Sequence, residues 1–250
     1  MPIMKEKSVL FKALGDINAI ALCIDAEDEE EIIRFIKLIR PNFGAINIED
    51  ISLPKVLEIV ERLAKELSIP VLHDDQHGTI IITFAPLIDV LKLVNEELYK
   101  VRLIISNSGS AGYSIFKILK TAGCNDFIVT DSKSAIFDRR VDIDDQNPYK
   151  REISVNINFR KLNGILLEVI RKSDVFNRVS GKSGLLNKDM IESMNKDAIV
   201  FASSNPDPEI APNRASEYDT RIVATGRSDF PNQTNNAVVF PSALRALLDL

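Results

Sequence analysis

The sequence contains no tryptophan, only two cysteines and two histidines among its 250 residues, and no long apolar run. Cys23 and Cys124 cannot supply a disulfide framework, and both lie in apolar surroundings, which is typical of reduced core thiols. No stretch reaches the roughly twenty uninterrupted apolar residues that a membrane-spanning helix needs. The N-terminus also lacks a secretory pattern. We therefore expect a cytoplasmic protein with no membrane partner.

An excess of positive charge is also missing. The chain has 31 basic and 36 acidic residues, which gives a formal net charge of -5. No basic stripe of the kind that neutralises phosphates is visible, so we expect no nucleic-acid partner. The 45% hydrophobic and 27% charged content is typical of a globular protein with enough material for one large domain or two modest ones.

Apolar runs alternate with helical patterns along the first hundred residues. Strands are predicted at 19–24, 45–48 and 71–72, and helices at 1–14, 28–39, 54–67 and 79–94. This alternation predicts an α/β fold with a parallel sheet, which binds ligands at the carboxyl ends of its strands. The chain becomes polar around Asn95 before a new βα unit begins. We therefore predict two domains, 1–94 and 95–250.

Two acidic pairs follow predicted strands of the first domain. Glu49 and Asp50 end the strand 45–48, while Asp74 and Asp75 stand between an apolar run and a glycine. A single pair of neighbouring acids is more often a solvated turn. Two pairs embedded in apolar residues need a partner, because buried carboxylates are costly without one. A hard divalent cation supplies that partner, so the sequence predicts a Mg²⁺ or Mn²⁺ site.

The same stretch contains a rival metal pattern. His73 and His77 have the i, i+4 spacing of a zinc-binding helix, with acids between them as in metalloproteases. Pro70 and Gly78 flank the pattern closely, and Asp74 stands where a general-base glutamate is expected. These neighbours disfavour a zinc hydrolase, which stays open as an alternative.

A nucleotide-binding pattern begins after the predicted strand 101–105. The loop Ser106-Asn107-Ser108-Gly109-Ser110-Ala111-Gly112 leads into a predicted helix at 113–121, and the strand 127–131 ends in Asp131. In a dinucleotide fingerprint, a pyrophosphate binds at this helix N-terminus and the terminal acid accepts from ribose hydroxyls. Asn107 replaces the first glycine, and asparagine is the least costly substitute at positive φ. Asp131 favours NAD over NADP because an acid repels a 2′-phosphate, although Lys133 lies nearby.

Polar residues also follow later strands. Helices are predicted at 161–171 and 188–194, strands at 174–176, 198–202 and 221–225, and a last strand and helix after the polar loop 229–236. Asn205 precedes a proline, which holds it extended at a strand end. Asparagine clusters usually mark turns. Here, uncharged amides at strand ends also suit the recognition of carboxylate or nicotinamide groups.

Three long segments resemble one known family. FGAINIEDI at 43–51, IPVLHDDQHGT at 69–79 and ATGRSDFPNQ at 224–233 are similar to malic enzymes of the short prokaryotic kind, the oxaloacetate-decarboxylating malate dehydrogenases. The resemblance extends over nearly the whole chain. It implies a partial malic enzyme N-terminal domain at 1–94, which binds metal and substrate, and a Rossmann-like NAD-binding domain at 95–250.

The resemblance also implies a reaction and a set of site residues. The reaction is the divalent-metal-dependent oxidative decarboxylation of malate to pyruvate and CO₂ with reduction of NAD, by a homodimer. By position, the family's metal ligands correspond to Glu49, Asp50 and Asp75, its catalytic lysine to Lys7, an acid beside the metal to Asp74, its malate-binding amides to Asn205 and Asn236, and its NAD-binding positions to Gly109, Gly112 and Asp131 within the pattern described above. A lysine whose pKa is depressed by burial near a cation suits the role of base.

The sequence departs from the family at both ends. The family's N-terminal segment, with the tyrosine that serves as general acid, has no counterpart here, and the C-terminal helix is cut short. We therefore expect impaired turnover. The alternative function is a non-catalytic NAD-binding or assembly module derived from a malic enzyme, which would bind nucleotide without binding malate in a metal-dependent way.

Overall fold

A computed structural model describes residues 2–52, 54–143, 147–178, 183–204 and 206–250, with the side chains of Ile3 and Asp75 outside the description. Its helices are α1 (Pro2–Gly15), α2 (Glu29–Ile39), α3 (Lys55–Glu66), α4 (Thr79–Leu93), α5 (Ser110–Thr121), α6 (Pro148–Asn156), α7 (Leu166–Val169), α8 (Lys188–Glu192), α9 (Pro212–Glu217) and α10 (Phe240–Leu248). Its strands are β1 (Ile46–Ile48), β2 (Val71–His73), β3 (Arg102–Ser106), β4 (Asp126–Thr130), β5 (Val175–Arg178), β6 (Ile199–Ala202) and β7 (Ile222–Thr225). Within these described ranges, every helix is too short or too polar to cross a membrane.

The chain divides into two compact units. Unit 1 comprises the residues up to Gly78 together with Asn236–Leu250, and unit 2 comprises Thr79–Asn235. This division differs from the predicted boundary near residue 95 for two reasons. α4 packs against α5 of unit 2, and α10 returns to pack against α1 of unit 1.

Unit 1 is built on a parallel pair of strands, β1 and β2, in which Ile46 pairs with Val71 and Ile48 with His73. The amphipathic helices α2 and α3 pack against each other. Asp28 caps α2 by accepting the backbone N–H groups of Glu30 and Glu31, which explains why that helix begins there. The apolar faces of both helices are buried, including Ile33, Leu57 and Ile59.

The predicted strand 19–24 is wrong. This segment has no regular secondary structure, and Ile20, Leu22 and Ile24 are exposed. A strand needs a neighbour's N–H and C=O groups, and the described residues of unit 1 contribute only β1 and β2 to its sheet. Cys23 is exposed as well, which corrects its prediction as a core thiol. Cys124 is buried as predicted, and burial raises the pKa of its thiol to about 12.

Unit 2 contains a five-stranded sheet in the order β4-β3-β5-β6-β7, with every neighbouring pair parallel. Strand β6 is apolar and buried along its whole length, and Leu103, Ile104 and Ile105 of β3 are fully buried, which is typical of a parallel sheet covered on both faces. The predicted α/β fold with parallel sheets is therefore confirmed. In this doubly wound order, ligands bind beyond the carboxyl ends of the strands.

Three segments of unit 2, and one segment of the C-terminal region, differ from the predicted secondary structure. The predicted helix 161–171 is reduced to α7, because the Asn158 side chain bonds the backbone N–H and C=O of Leu162 and holds a turn instead. The last predicted strand is a 3₁₀ turn at Asn236–Val238. Two helices, α6 and α9, were not predicted. For α6, Asn147 at the N-cap with Pro148 after it was an available start signal.

The buried sheet of unit 2 allows a direct stability test. Leu103 in β3 is fully buried, whereas Leu93 at the end of α4 is largely exposed. We expect Leu103→Ala to lower the free energy of unfolding by about 2–5 kcal/mol, because it removes apolar contacts and leaves a cavity. The matched control Leu93→Ala should change it little. Urea unfolding measures both, and equal effects would contradict the described burial.

Candidate active site

Three charged side chains meet at one edge of the unit 1 sheet. Ile48 and His73 are paired at the ends of β1 and β2, so the residues that follow them, Glu49 and Asp74, leave the sheet side by side. Lys7 reaches them from α1. Its Nζ lies 2.6 Å from Glu49 Oε2 and 2.6 Å from Asp74 Oδ2. We call these three side chains the lysine-carboxylate triad.

The triad is largely removed from water. The side chains of Lys7, Glu49 and Asp74 are 18%, 13% and 6% exposed, and the Lys7 ammonium lies 5.1 Å from the centroid of the Phe240 ring. Burial alone would lower the pKa of Lys7. The hydrogen bonds and charges of Asp74 and Glu49 outweigh it and hold the pKa above its usual value. Contact with two carboxylates thus raises this pKa, whereas the predicted depression concerns a lysine beside a bound cation and stays a prediction.

A π-helical turn, Asp74–Gly78, holds Asp74, one of the two acids of the triad. A Cβ at Gly78 would lie 2.5 Å from Asp74 Oδ1 and 3.4 Å from Asn236 Cγ, so only glycine allows these groups to approach. Asp74 Oδ1 is buried and has no hydrogen-bond partner in the described part of the chain. It is an oxygen acceptor available to a ligand. The turn thus brings the predicted residues Asp74 and Asn236 close to one another.

The predicted metal ligands are only partly brought together. Asp50 is exposed, adopts a φ of 61° and lines the same unit 1 cleft as Lys7 and Glu49. The side chain of Asp75 lies outside the part of the structure that is described, so its role as a metal ligand stays a prediction. Among the described residues, no group of three histidine, cysteine or acidic side chains is close enough to hold a metal ion. The oxygen donors and the free Asp74 Oδ1 nevertheless suit a hard cation.

The histidine pair has a different role from a zinc site. Nδ1 of His77 accepts the backbone N–H of His73 at 3.0 Å, so that ring nitrogen stabilises the turn after β2. Burial lowers the pKa of His77, against the opposing effect of its backbone hydrogen bond. His73 is buried at the end of β2 rather than on a helix. The zinc-hydrolase alternative gains no support from this arrangement.

The predicted nucleotide loop of unit 2 connects β3 to α5. Asn107 adopts a φ of 137°, as predicted for the residue that replaces glycine, and its Oδ1 accepts the backbone N–H of Gly109 at 2.8 Å. A Cβ at Gly112 would lie 1.8 Å from the Asn107 carbonyl oxygen, so glycine is required there. Ser110 Oγ, in the first turn of α5, is buried without a hydrogen-bond partner among the described residues. The first turn of α5 suits a phosphate, because the first N–H groups of a helix have no intrahelical acceptor.

Asp131 follows β4 and is surrounded by donors. Its Oδ1 accepts from the backbone N–H groups of Lys133 and Ser134 and from Arg140, and its Oδ2 accepts from Arg140 and Lys150. Burial would raise the pKa of this carboxyl, but these bonds hold it well below its usual value. Arg140 and Lys150 were missed, since neither stands at a fixed spacing from Asp131 in any motif.

A second buried charge pair lies at the carboxyl ends of the unit 2 strands and was also missed. Arg178 donates to Ser106 Oγ at 3.0 Å and lies 3.5 Å from Glu209, which is fully buried and bonded to Ser204. The predicted substrate-binding residue Asn205 lies outside the described residues.

Comparison with known proteins decides the family. Residues 76–248 match the family model described as "Malic enzyme, NAD binding domain". This chain belongs to the malic enzyme family. It is 42% identical over 250 residues to a bifunctional malic/malolactic enzyme of Bacillus subtilis and 44% identical over 249 residues to an NAD-dependent malic enzyme of Geobacillus stearothermophilus. Further relatives are named NADP-dependent malic enzymes.

The solved structures agree with this assignment. An NAD-dependent malic enzyme from Thermotoga maritima superposes with a TM-score of 0.94 at 38% identity, over 99% of this chain and 65% of that one.

All of this chain is matched by the two bacterial relatives, but it spans only 60% of the Bacillus protein and 51% of the Geobacillus protein. The match therefore covers about half to two thirds of each of these three proteins.

The triad predicts a pH-dependent contribution to stability. We expect Lys7→Met to lower the free energy of unfolding by about 2–4 kcal/mol at neutral pH, because two largely buried carboxylates lose their counter-ion. The folded pKa of Lys7 is raised above its usual value of 10.5. The difference between wild type and variant should therefore persist from pH 7 to about 10 and shrink as the pH rises through that folded pKa.

The control is Lys12→Met on the same helix, which removes an exposed ion pair with Asp16. It should change stability little at any of these pH values. Denaturant unfolding between pH 7 and 11 measures both variants. A Lys7→Met effect no larger than that of Lys12→Met would contradict the buried triad.

Proposed function

We propose that this chain catalyses the divalent-metal-dependent oxidative decarboxylation of malate to pyruvate and CO₂ with reduction of NAD. The observation that carries the proposal is the lysine-carboxylate triad, which joins a lysine to acids at two neighbouring strand ends. Family membership supports this reaction type, and the geometry of the predicted nucleotide loop of unit 2 suits the nicotinamide cofactor.

Lys7 and Asp74 would move the proton of the substrate's C2 hydroxyl. The charged ammonium of Lys7 must lose a proton before it can accept another, and Asp74 Oδ2 lies at hydrogen-bond distance to receive it. Neutral Lys7 would then take the hydroxyl proton while the C2 hydrogen leaves as hydride to nicotinamide. The low exposure of the triad keeps bulk water from competing for these protons.

Glu49, Asp50 and Asp75 would hold the divalent cation, and the free Oδ1 of Asp74 adds a nearby oxygen acceptor. When bound, the cation supplies Lewis-acid stabilisation of the negative charge that develops as CO₂ leaves. Glu49 would hold the cation, and Asp74 would be the acid that exchanges a proton with Lys7.

Amide groups would orient the substrate. We assign Asn205 and Asn236 to the malate carboxylates, since a neutral amide donates hydrogen bonds without adding charge. Asn236 is positioned close to Gly78 and the Asp74 turn, which supports its part of the assignment. In unit 2, Asn107, Ser108, Gly109, Ser110, Ala111 and Gly112 would bind the cofactor pyrophosphate. The homodimer implied by family resemblance belongs to the same proposal and can be measured by sedimentation.

Malate turnover tests the proposal directly. With NAD and Mn²⁺ present, we expect the chain to form pyruvate from malate, and we expect Lys7→Met to lower kcat by about 10²–10⁴-fold because the base is lost. Lys12→Met should retain wild-type kcat. The rate is followed as NADH absorbance together with pyruvate. Cofactor binding with neither pyruvate formation nor metal-dependent malate binding would favour the non-catalytic module instead.

Metal affinity tests the carboxylate assignment separately from turnover. We expect Glu49→Gln to weaken Mn²⁺ binding by at least about tenfold, because a charged oxygen ligand is replaced by a neutral one. Glu58→Gln, on the exposed face of α3, is the matched control and should bind Mn²⁺ like the wild type. Titration followed by electron paramagnetic resonance of free Mn²⁺ gives both affinities. Equal affinities in the two variants would remove Glu49 from the site.

A further inference from the structure

A largely buried arginine lies between two central strands of the unit 2 sheet. Along the chain, β3 is followed by β4 on one side of it and then by β5 on its other side, in the order β4-β3-β5. The strand order therefore reverses at the boundary between β3 and β5. In a doubly wound sheet, the crevice that binds a dinucleotide lies beyond the carboxyl ends of the strands at such a point. Arg178 is the last residue of β5 and stands at this boundary.

Arg178 reaches across the boundary to the strand that carries the predicted nucleotide loop. Its Nη1 donates to Oγ of Ser106, the last residue of β3, at 3.0 Å. The loop continues from Ser106 to Ser110, which begins α5. The Arg178 side chain is only 15% exposed. A guanidinium group is therefore held at the crevice, bonded to the residue from which the loop departs.

The acid that faces Arg178 matches its charge incompletely. Nε of Arg178 lies 3.5 Å from Glu209 Oε1, which is longer than a usual hydrogen bond. Both oxygens of Glu209 accept from Ser204, one from its hydroxyl and the other from its backbone N–H. Burial lowers the pKa of Arg178 against the opposing charge of Glu209, and burial also raises the pKa of Glu209. An anion closer to the guanidinium would therefore stabilise the charge of Arg178.

Two further polar side chains near this boundary point to a ligand. Ser110 Oγ and both amide atoms of Asn177 are buried with no hydrogen-bond partner among the described residues. Asn177 is 1% exposed and pairs with Ile105 of β3. Ile105 adjoins the first turn of α5, because a Cβ at Gly112 would lie 3.8 Å from Ile105 Cγ2. Buried polar atoms without a partner are rare in proteins, so these atoms mark the boundary as a place where a polar ligand binds.

We infer that Arg178 is a cofactor-binding residue that supplies the positive charge for the pyrophosphate of the dinucleotide. In the complex, its guanidinium donates to a phosphate oxygen instead of to the Ser106 hydroxyl, because a charge-assisted hydrogen bond is stronger than one to a neutral group. The first turn of α5 supplies further donors to the same group. The inference rests on the proposed function only in placing a dinucleotide in unit 2.

Binding of NADH and ADP-ribose to the full chain tests the inference, without malate or metal. Cofactor fluorescence measures the first affinity and calorimetry the second. We expect Arg178→Gln to weaken both ligands by about ten- to hundredfold, because both contain the pyrophosphate and both lose a charge-assisted bond to it. Arg178→Lys keeps the charge and should recover part of the loss. An unchanged affinity of Arg178→Gln for ADP-ribose would overturn the inference.

Two control variants separate phosphate binding from a structural ion pair. Arg160→Gln removes an exposed arginine near Asp126, the first residue of β4, and should leave both affinities unchanged. Glu209→Gln breaks the same ion pair as Arg178→Gln but keeps the guanidinium. We expect it to bind both ligands within about twofold of the wild type, or more tightly. Equal weakening by Arg178→Gln and Glu209→Gln would overturn the inference.

A measurement on the wild-type chain covers the case in which Arg178→Gln does not fold. Butanedione modifies arginine side chains, and mass spectrometry of peptides reports each position. Saturating ADP-ribose should suppress the modification of Arg178 and leave that of Arg160 unchanged, and equal modification of Arg178 with and without ADP-ribose would overturn the inference. Malate turnover plays no part in these readouts. An inactive chain that binds NADH through Arg178 would therefore overturn the proposed function alone.

Discussion

The ammonium of Lys7, held between the carboxylates of Glu49 and Asp74, is the interaction on which the candidate site depends. Each of these side chains would be unfavourable at its observed burial without the other two, because an unpaired charge in a low-dielectric environment costs several kcal/mol. Lys7 comes from α1, and Glu49 and Asp74 follow the ends of β1 and β2, so one ammonium group with two ion pairs links a helix to both strands of the unit 1 sheet. The packing of α1 against the ends of these strands therefore also neutralises the three charges.

Buried carboxylates are also neutralised by basic side chains at the strand ends of unit 2. Parallel strands direct their polar terminal residues to one edge, and Asp131 and Glu209 both lie there with arginine partners. Among the described residues of unit 2, few buried side-chain donors and acceptors lack a protein partner. Ser110 Oγ lies at the start of α5, where a phosphate binds in folds of this kind. At this edge, arginines neutralise the carboxylates of Asp131 and Glu209, whereas Ser110 Oγ is available to a ligand.

Much of the fold could be predicted because it follows from local periodicity. Glu49, Asp74, the glycine-containing loop before α5 and Asp131 all directly follow apolar runs, and these runs predict the strands. Contacts between distant residues could not be predicted in this way. The segment 19–24 has the composition of a strand but lacks a neighbouring one, and the pKa of Lys7 depends on two carboxylates far away in sequence. The partners of Asp131 were likewise invisible, because no fixed spacing encodes them.

The return of the last residues to unit 1 bears on how the chain folds. Unit 2 is inserted between Gly78 and Asn236, so the contact of α10 with α1 joins the two ends of the sequence. Closing such a long loop costs chain entropy. If unit 2 folds first, the loop that must be closed is effectively shorter. This favours a folding order in which unit 2 forms first and unit 1 is completed last.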